Sequence, residues 1–120
     1  MQFPLDPLKI PDKERKALGE FLDRVLPRYE KNVKYLILFG SYARGEQKDD
    51  SDMDLLLVVD KQNDKMESVV SEAVLDVLFE TGVYLSVKTI SLKEFSRIRR
   101  LKTPFYNNLS RDGIELWKAA

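Results

Sequence analysis

The chain has 120 residues, of which 20 are basic and 20 acidic, with 43% hydrophobic and 33% charged, which is the size and balance of one soluble globular domain. A net charge of zero leaves no overall positive field for a phosphate backbone, so neither a nucleic-acid partner nor a DNA polymerase role is expected. Zero cysteines and zero histidines remove disulfides, cysteine nucleophiles, histidine bases and most zinc chemistry, leaving carboxylates to carry any catalysis.

In chain order the pattern predicts α, β, α, β, α, β, α within a single domain spanning 1–120. Ala17, Leu18, Phe21, Leu22, Val25 and Leu26 recur at helical spacing after Pro11-Asp12, giving a first helix disturbed or ended near Pro27. Val33–Phe39 is β-branched, aromatic and of strand length, and it runs without a break into Gly40-Ser41. Ser41 is expected to cap a short helix through Tyr42, Ala43 and Arg44. A second strand is expected over 52–59, and because 55–59 is wholly apolar both of its faces are read as buried.

Val69, Val70, Ala73, Val74, Val77 and Leu78 form a second amphipathic stripe, terminated by Gly82 before a third strand over 83–90. Ser91-Leu92-Lys93-Glu94 has the spacing of a capping box and opens a helix bearing Phe95 and Ile98. Pro104 restarts the chain, and 105–117, aromatic-rich and broken at Gly113, reads as a short helix followed by an extended tail. Lys93, Arg97, Arg99, Arg100 and Lys102 form a basic stretch, read as a solvated helix face with RNA contact as the lesser alternative. No apolar run approaches membrane-spanning length and no secretory leader is seen, so a cytoplasmic location without membrane attachment is expected.

Chemistry concentrates where the first strand ends and the second begins. Gly40 lacks a Cβ, so a phosphate can approach the backbone closely, and the N–H groups that follow face an anion. Asp52 and Asp54 at i and i+2 of a strand project to one face, while Met53 turns away. Paired hard oxygens suit Mg2+, which takes one or two carboxylates and completes its shell with substrate phosphates. If Gly40 and Asp52 meet at one site, the two strand ends lie side by side and the pair is antiparallel. The sheet is then mixed and flanked by helices, an α/β (α+β) fold.

The stretch Lys48-Asp49-Asp50-Ser51-Asp52 also has the composition of a solvated acidic turn, but such a turn does not explain an acidic pair that continues into an apolar strand. A calcium loop fails because Leu55 and Lys61 stand where glycine and glutamate are required. A P-loop fails because Glu46-Gln47 stands where Lys-Ser/Thr is needed.

Leu38-Phe39-Gly40-Ser41-Tyr42-Ala43-Arg44-Gly45, followed by Ser51-Asp52-Met53-Asp54-Leu55, resembles the minimal nucleotidyltransferases of the polymerase-beta superfamily. The resemblance implies the nucleotidyltransferase fold and transfer of a nucleoside monophosphate, commonly AMP from ATP or its counterpart from another NTP, to a hydroxyl. Small members similar to this chain are often antitoxins that modify a partner HEPN-domain ribonuclease, so a HEPN-type partner and a homo- or hetero-oligomer are implied. Carried over by position, Gly40 and Ser41 hold the triphosphate, and Asp52 and Asp54 bind magnesium as the catalytic pair. Arg44 either offers its guanidinium fork to phosphate or pairs with Glu46 at the surface. Ser51 either caps the turn or reaches a phosphate.

The chain departs from the family pattern on the third strand, where a further carboxylate is expected. The alternate polar positions there are Tyr84, Ser86 and Lys88, so Ser86 or Lys88 takes its place. A lysine there neutralises the aspartates, contacts phosphate or faces solvent. Asp76 and Glu80 lie on the preceding helix and are not assigned as base. Two functions follow: a Mg2+-dependent nucleotidyltransferase that modifies a partner protein, or a catalytically weak or inactive nucleotide-binding antitoxin or regulatory subunit that acts by partner binding. For the latter, Phe95, Ile98, Leu101, Phe105, Tyr106 and Trp117 supply apolar side chains, either as a partner surface or as packing under the sheet.

Overall fold

The computed structural model describes residues 10–48 and 51–119. Helix α1 spans Asp12–Tyr29 and is followed by strand β1, Val33–Phe39, a short helix α2, Gly40–Arg44, and strand β2, Met53–Val59. Then come α3, Asp64–Thr81, β3, Leu85–Ser91, α4, Leu92–Arg100, α5, Pro104–Asp112, and β4, Ile114–Lys118. The strand order is β3-β2-β1-β4. Strand β1 pairs antiparallel with both β2 and β4, while β2 and β3 run parallel, so the expected antiparallel pair and mixed sheet are present.

The α1 stripe Ala17, Leu18, Phe21, Leu22, Val25 and Leu26 is buried. Of the α3 stripe, Val70, Ala73 and Val77 are buried together with Met66, while Val69, Val74 and Leu78 are partly buried. Together they cover one face of the sheet through Leu36, Leu38, Leu55 and Leu57. The opposite face buries Ile37, Leu56, Val58 and Ile90 under Phe95, Ile98, Phe105 and Leu109 from α4 and α5. Strand β2 is therefore buried on both faces, as its continuous apolar run requires.

The element ends follow local chemistry. Asn63 accepts from the Met66 N–H at 2.8 Å and starts α3, and Gly82, at φ 76°, ends it in the left-handed region. Ser91 accepts from the Glu94 N–H at 3.1 Å, as the capping-box spacing predicts. Thr103 caps α5 with Pro104 in its first turn.

Helix α1 ends at Tyr29, two residues beyond Pro27, in keeping with a helix ended near that proline, which removes one ladder bond in the last turn. Three expectations need correction. Ser41 does not cap α2: Phe39 stands at the N-cap without a side-chain bond, and Ser41 lies inside the helix. Strand β2 begins at Met53 instead of Asp52. The tail beyond Gly113 is a fourth strand, because Leu116 buries in the first core and the backbone finds β1 as a partner, with Ile114 opposite Leu38. Among the described residues no helix is long and apolar enough to cross a membrane.

Candidate functional site

The carboxyl end of β1 and the amino end of β2 meet because their register places Phe39 opposite Asp54. On the other side, Asp54 lies beside Ser86 of β3. Gly40 follows directly with φ 74°, a left-handed conformation that β-carbon sterics disfavour for other residues. A Cβ at Gly40 would clash with Oδ2 of Asp54 and approach its Cγ to 3.1 Å. Glycine is therefore required both by the turn and by the carboxylate packed against it.

Asp54 is partly buried, and Asp52 just before the strand is exposed. Burial pushes the Asp54 carboxyl above the usual carboxylate range, the nearby Asp52 charge adds to the rise, and the Arg44 guanidinium opposes it. Arg44 donates from Nε to Oε1 of Glu46 at 2.6 Å, so the surface pair is formed, and its two Nη groups make no further hydrogen bond or ion pair among the described residues. Ser51 Oγ accepts from the Lys48 N–H at 2.7 Å, and its own N–H donates to the Lys48 carbonyl at 3.0 Å. Ser51 thus closes the turn before β2. Asp49 and Asp50 lie outside the described residues.

The structure distinguishes between the two candidates on β3. Ser86 is the residue beside Asp54, whereas Lys88 is beside Leu56 and places Nζ 5.1 Å from the Phe105 ring centroid. Lys88 is thus a cation–π partner of the second core. Asp76 and Glu80 both bind Arg24 of α1, at 3.2 and 2.7 Å, on the sheet face opposite Asp54. Among the described residues no group of three or more His, Cys, Asp or Glu side chains could hold a metal ion.

Asn108, Leu109 and Asp112 lie beside Gly40 and Arg44, three positions that the sequence does not single out. A cavity of about 240 Å3 opens between Gly40, Arg44 and helix α5, with Phe39, Phe105 and Leu109 as walls and Asn108 and Asp112 at its polar side. Asn108 and Asp112 are one turn apart on α5 and so share a face, but no spacing between α5 and the glycine motif reveals that the two meet. Of the apolar residues weighed as a partner surface, Phe95, Ile98 and Phe105 pack in the second core and Trp117 against the first, and Tyr106 meets Phe95 edge to face at 6.0 Å. The exposed large apolar side chains include Leu75, Phe79, Tyr84 and Leu101.

The polymerase beta, nucleotidyltransferase family matches residues 20–117. A protein of Methanocaldococcus jannaschii provisionally named a protein adenylyltransferase is 32% identical over 104 residues, covering 87% of this chain and 98% of the relative. A second such protein from the same organism is 30% identical over 82 residues, covering 66% of this chain and 56% of its own length. In fold, the chain is similar to a Sulfolobus solfataricus nucleotidyltransferase, with TM-score 0.59 and 22% identity over 88% of this chain and 83% of that one. It is also similar to a chain of a toxin–antitoxin complex with AMP-PNP, with TM-score 0.56 and 18% identity over 90% and 74% of the two chains. By family match and by kinship along most of its length, the chain belongs to the polymerase beta nucleotidyltransferases.

Proposed function

We propose that the protein transfers AMP from ATP to a hydroxyl on a HEPN-type partner protein in the cytoplasm, as the antitoxin of a toxin pair. The observation that carries this reading is the packing of Gly40 against the Asp54 carboxylate, with Asp52 beside it and Ser41 and Arg44 on the adjoining helix turn. The relatives named for protein adenylylation support AMP and a protein acceptor. The fold likeness to toxin–antitoxin complexes, one of them a mutant MntA–HpeT pair, supports a toxin as the partner.

The donor set fits magnesium. Two carboxylate groups, Asp52 and Asp54, converge where burial and mutual repulsion leave negative charge in want of a cation, and phosphate oxygens complete such a shell. Magnesium bound there would offset charge on the phosphates and the leaving group. Ser41 and the free Nη groups of Arg44 orient the triphosphate. The acceptor oxygen bonds to the α-phosphorus, the bond from that phosphorus to the bridging oxygen breaks, and pyrophosphate leaves. Ser86 provides a hydroxyl where the family pattern has a carboxylate, so the acceptor's proton passes to solvent water without a base on β3, which makes the transfer slow.

The test is incubation with α-labelled ATP, magnesium and a HEPN partner. Label on the partner is expected, and it should vanish when Asp52→Asn and Asp54→Asn are combined. No labelled partner under any condition tested would contradict transfer.

Ser86 also favours a second reading, in which the chain binds nucleotide and neutralises its partner by contact alone. Under that reading the same double variant still neutralises the partner.

A further inference from the structure

We propose that the cavity beside Gly40 seats the nucleobase of the triphosphate, and that Asn108, positioned by Arg111, reads its edge and selects adenine. This rests on the nucleotide site proposed above and goes further by assigning the part of the ligand that distinguishes one triphosphate from another.

Position is the first ground. The cavity is bounded by Gly40 and Arg44, the residues that also flank the Asp54 carboxylate. A nucleotide whose phosphates lie at the carboxylates therefore has this cavity within reach of its base. At about 240 Å3 the space is below the roughly 300–1,000 Å3 of drug-sized ligands, and it suits one heteroaromatic ring system better than a whole nucleotide. Phe39 and Phe105, whose rings meet edge to face at 5.4 Å, and Leu109 provide the apolar walls that a planar base needs on its faces.

The polar side is the second ground. Arg111 Nη2 donates to Oδ1 of Asn108 at 3.2 Å and to Oδ2 of Asp112 at 3.0 Å. Asp112 is kept ionised by that same guanidinium, so it anchors Arg111, and Arg111 in turn fixes which way the Asn108 amide points. One lone pair of Oδ1 and the whole Nδ2 amino group are left for a ligand. An amide presenting one acceptor and one donor matches the N6 and N7 edge of adenine. Guanine offers two acceptors on that edge and is left with one facing the amide oxygen.

The measurement is the affinity of ATP, GTP and inorganic tripolyphosphate, each with magnesium, for the wild-type chain and for Asn108→Ala and Asn108→Asp. Asn108 is exposed, so both variants should fold, and equal melting temperatures check this. The wild type should prefer ATP over GTP. Each variant should lose about tenfold in ATP affinity, bring the ATP to GTP ratio near one, and leave tripolyphosphate unchanged. An unchanged ratio in the variants, a wild type that binds ATP and GTP equally, or an equal loss for ATP and tripolyphosphate would overturn the base pocket while leaving the phosphate site intact. A wild type that binds neither ATP nor tripolyphosphate would remove the nucleotide site itself, and this proposal with it.

Discussion

Gly40 and Asp54 are the residues on which the site turns, and each makes a measurable prediction. Gly40→Ala puts a Cβ into the Asp54 carboxylate and strains a positive φ, so it should destabilise the fold by about 1–3 kcal/mol and weaken Mg-ATP binding. Thermal melting and titration check both. The raised carboxyl of Asp54 means that the native state holds its proton to higher pH than the unfolded chain does. Metal-free stability should therefore fall as pH rises from the ordinary carboxylate value through the raised one. Asp54→Asn should flatten that decline and stabilise the metal-free protein at neutral pH by less than about 1 kcal/mol, read as melting temperature against pH. Ser86→Asp restores a carboxylate beside Asp54. It should accelerate label transfer by roughly 100-fold while lowering metal-free stability through like-charge repulsion. At this scale the sequence makes Gly40, Asp52 and Asp54 legible, because their chemistry is local. It leaves Ser86 and Lys88 undivided, since only the parallel register decides which of them adjoins Asp54.

The elements behave as their periods and caps dictate wherever the controlling contacts are near in sequence. The capping box at Ser91, the glycine stop at Gly82 and the apolar run of β2 are all readable for that reason. Leu56 lies fully buried on the α4 and α5 side of β2, so Leu56→Ala should cost about 2–5 kcal/mol in denaturant unfolding. It should leave the other face of the sheet packed. The element least legible is β4. Its five residues carry little strand signal on their own, and they become a strand because β1 has an unpaired edge and Leu116 fits the first core. The same long-range logic hides the cavity: α5 reaches Gly40 and Arg44 only after the chain has turned back across the sheet.

Across the whole molecule, each face of the sheet holds a core, and the proposed site lies at the end of one of them. Helices α1 and α3, tied by Arg24 to Asp76 and Glu80, form a backing layer remote from Asp54. Helices α4 and α5 lie on the face that carries Asp54, and the junction of α5 with α2 makes the cavity. The basic residues of α4 are exposed and stand as a solvated face. Leu75, Phe79 and Tyr84, exposed on α3 and just before β3, are apolar surface, whereas Phe95, Ile98 and Phe105 of α4 and α5 pack under the sheet. Period alone cannot tell a helix face turned to the core from one turned to solvent when both carry apolar residues. The central claim is a magnesium-nucleotide site built on Gly40, Asp52 and Asp54, and calorimetric titration of ATP with and without magnesium tests it most directly. The account predicts saturable one-to-one binding that requires magnesium and weakens by at least about 100-fold when Asp52→Asn and Asp54→Asn are combined. Binding that is absent, or equally tight in the double variant, would contradict it.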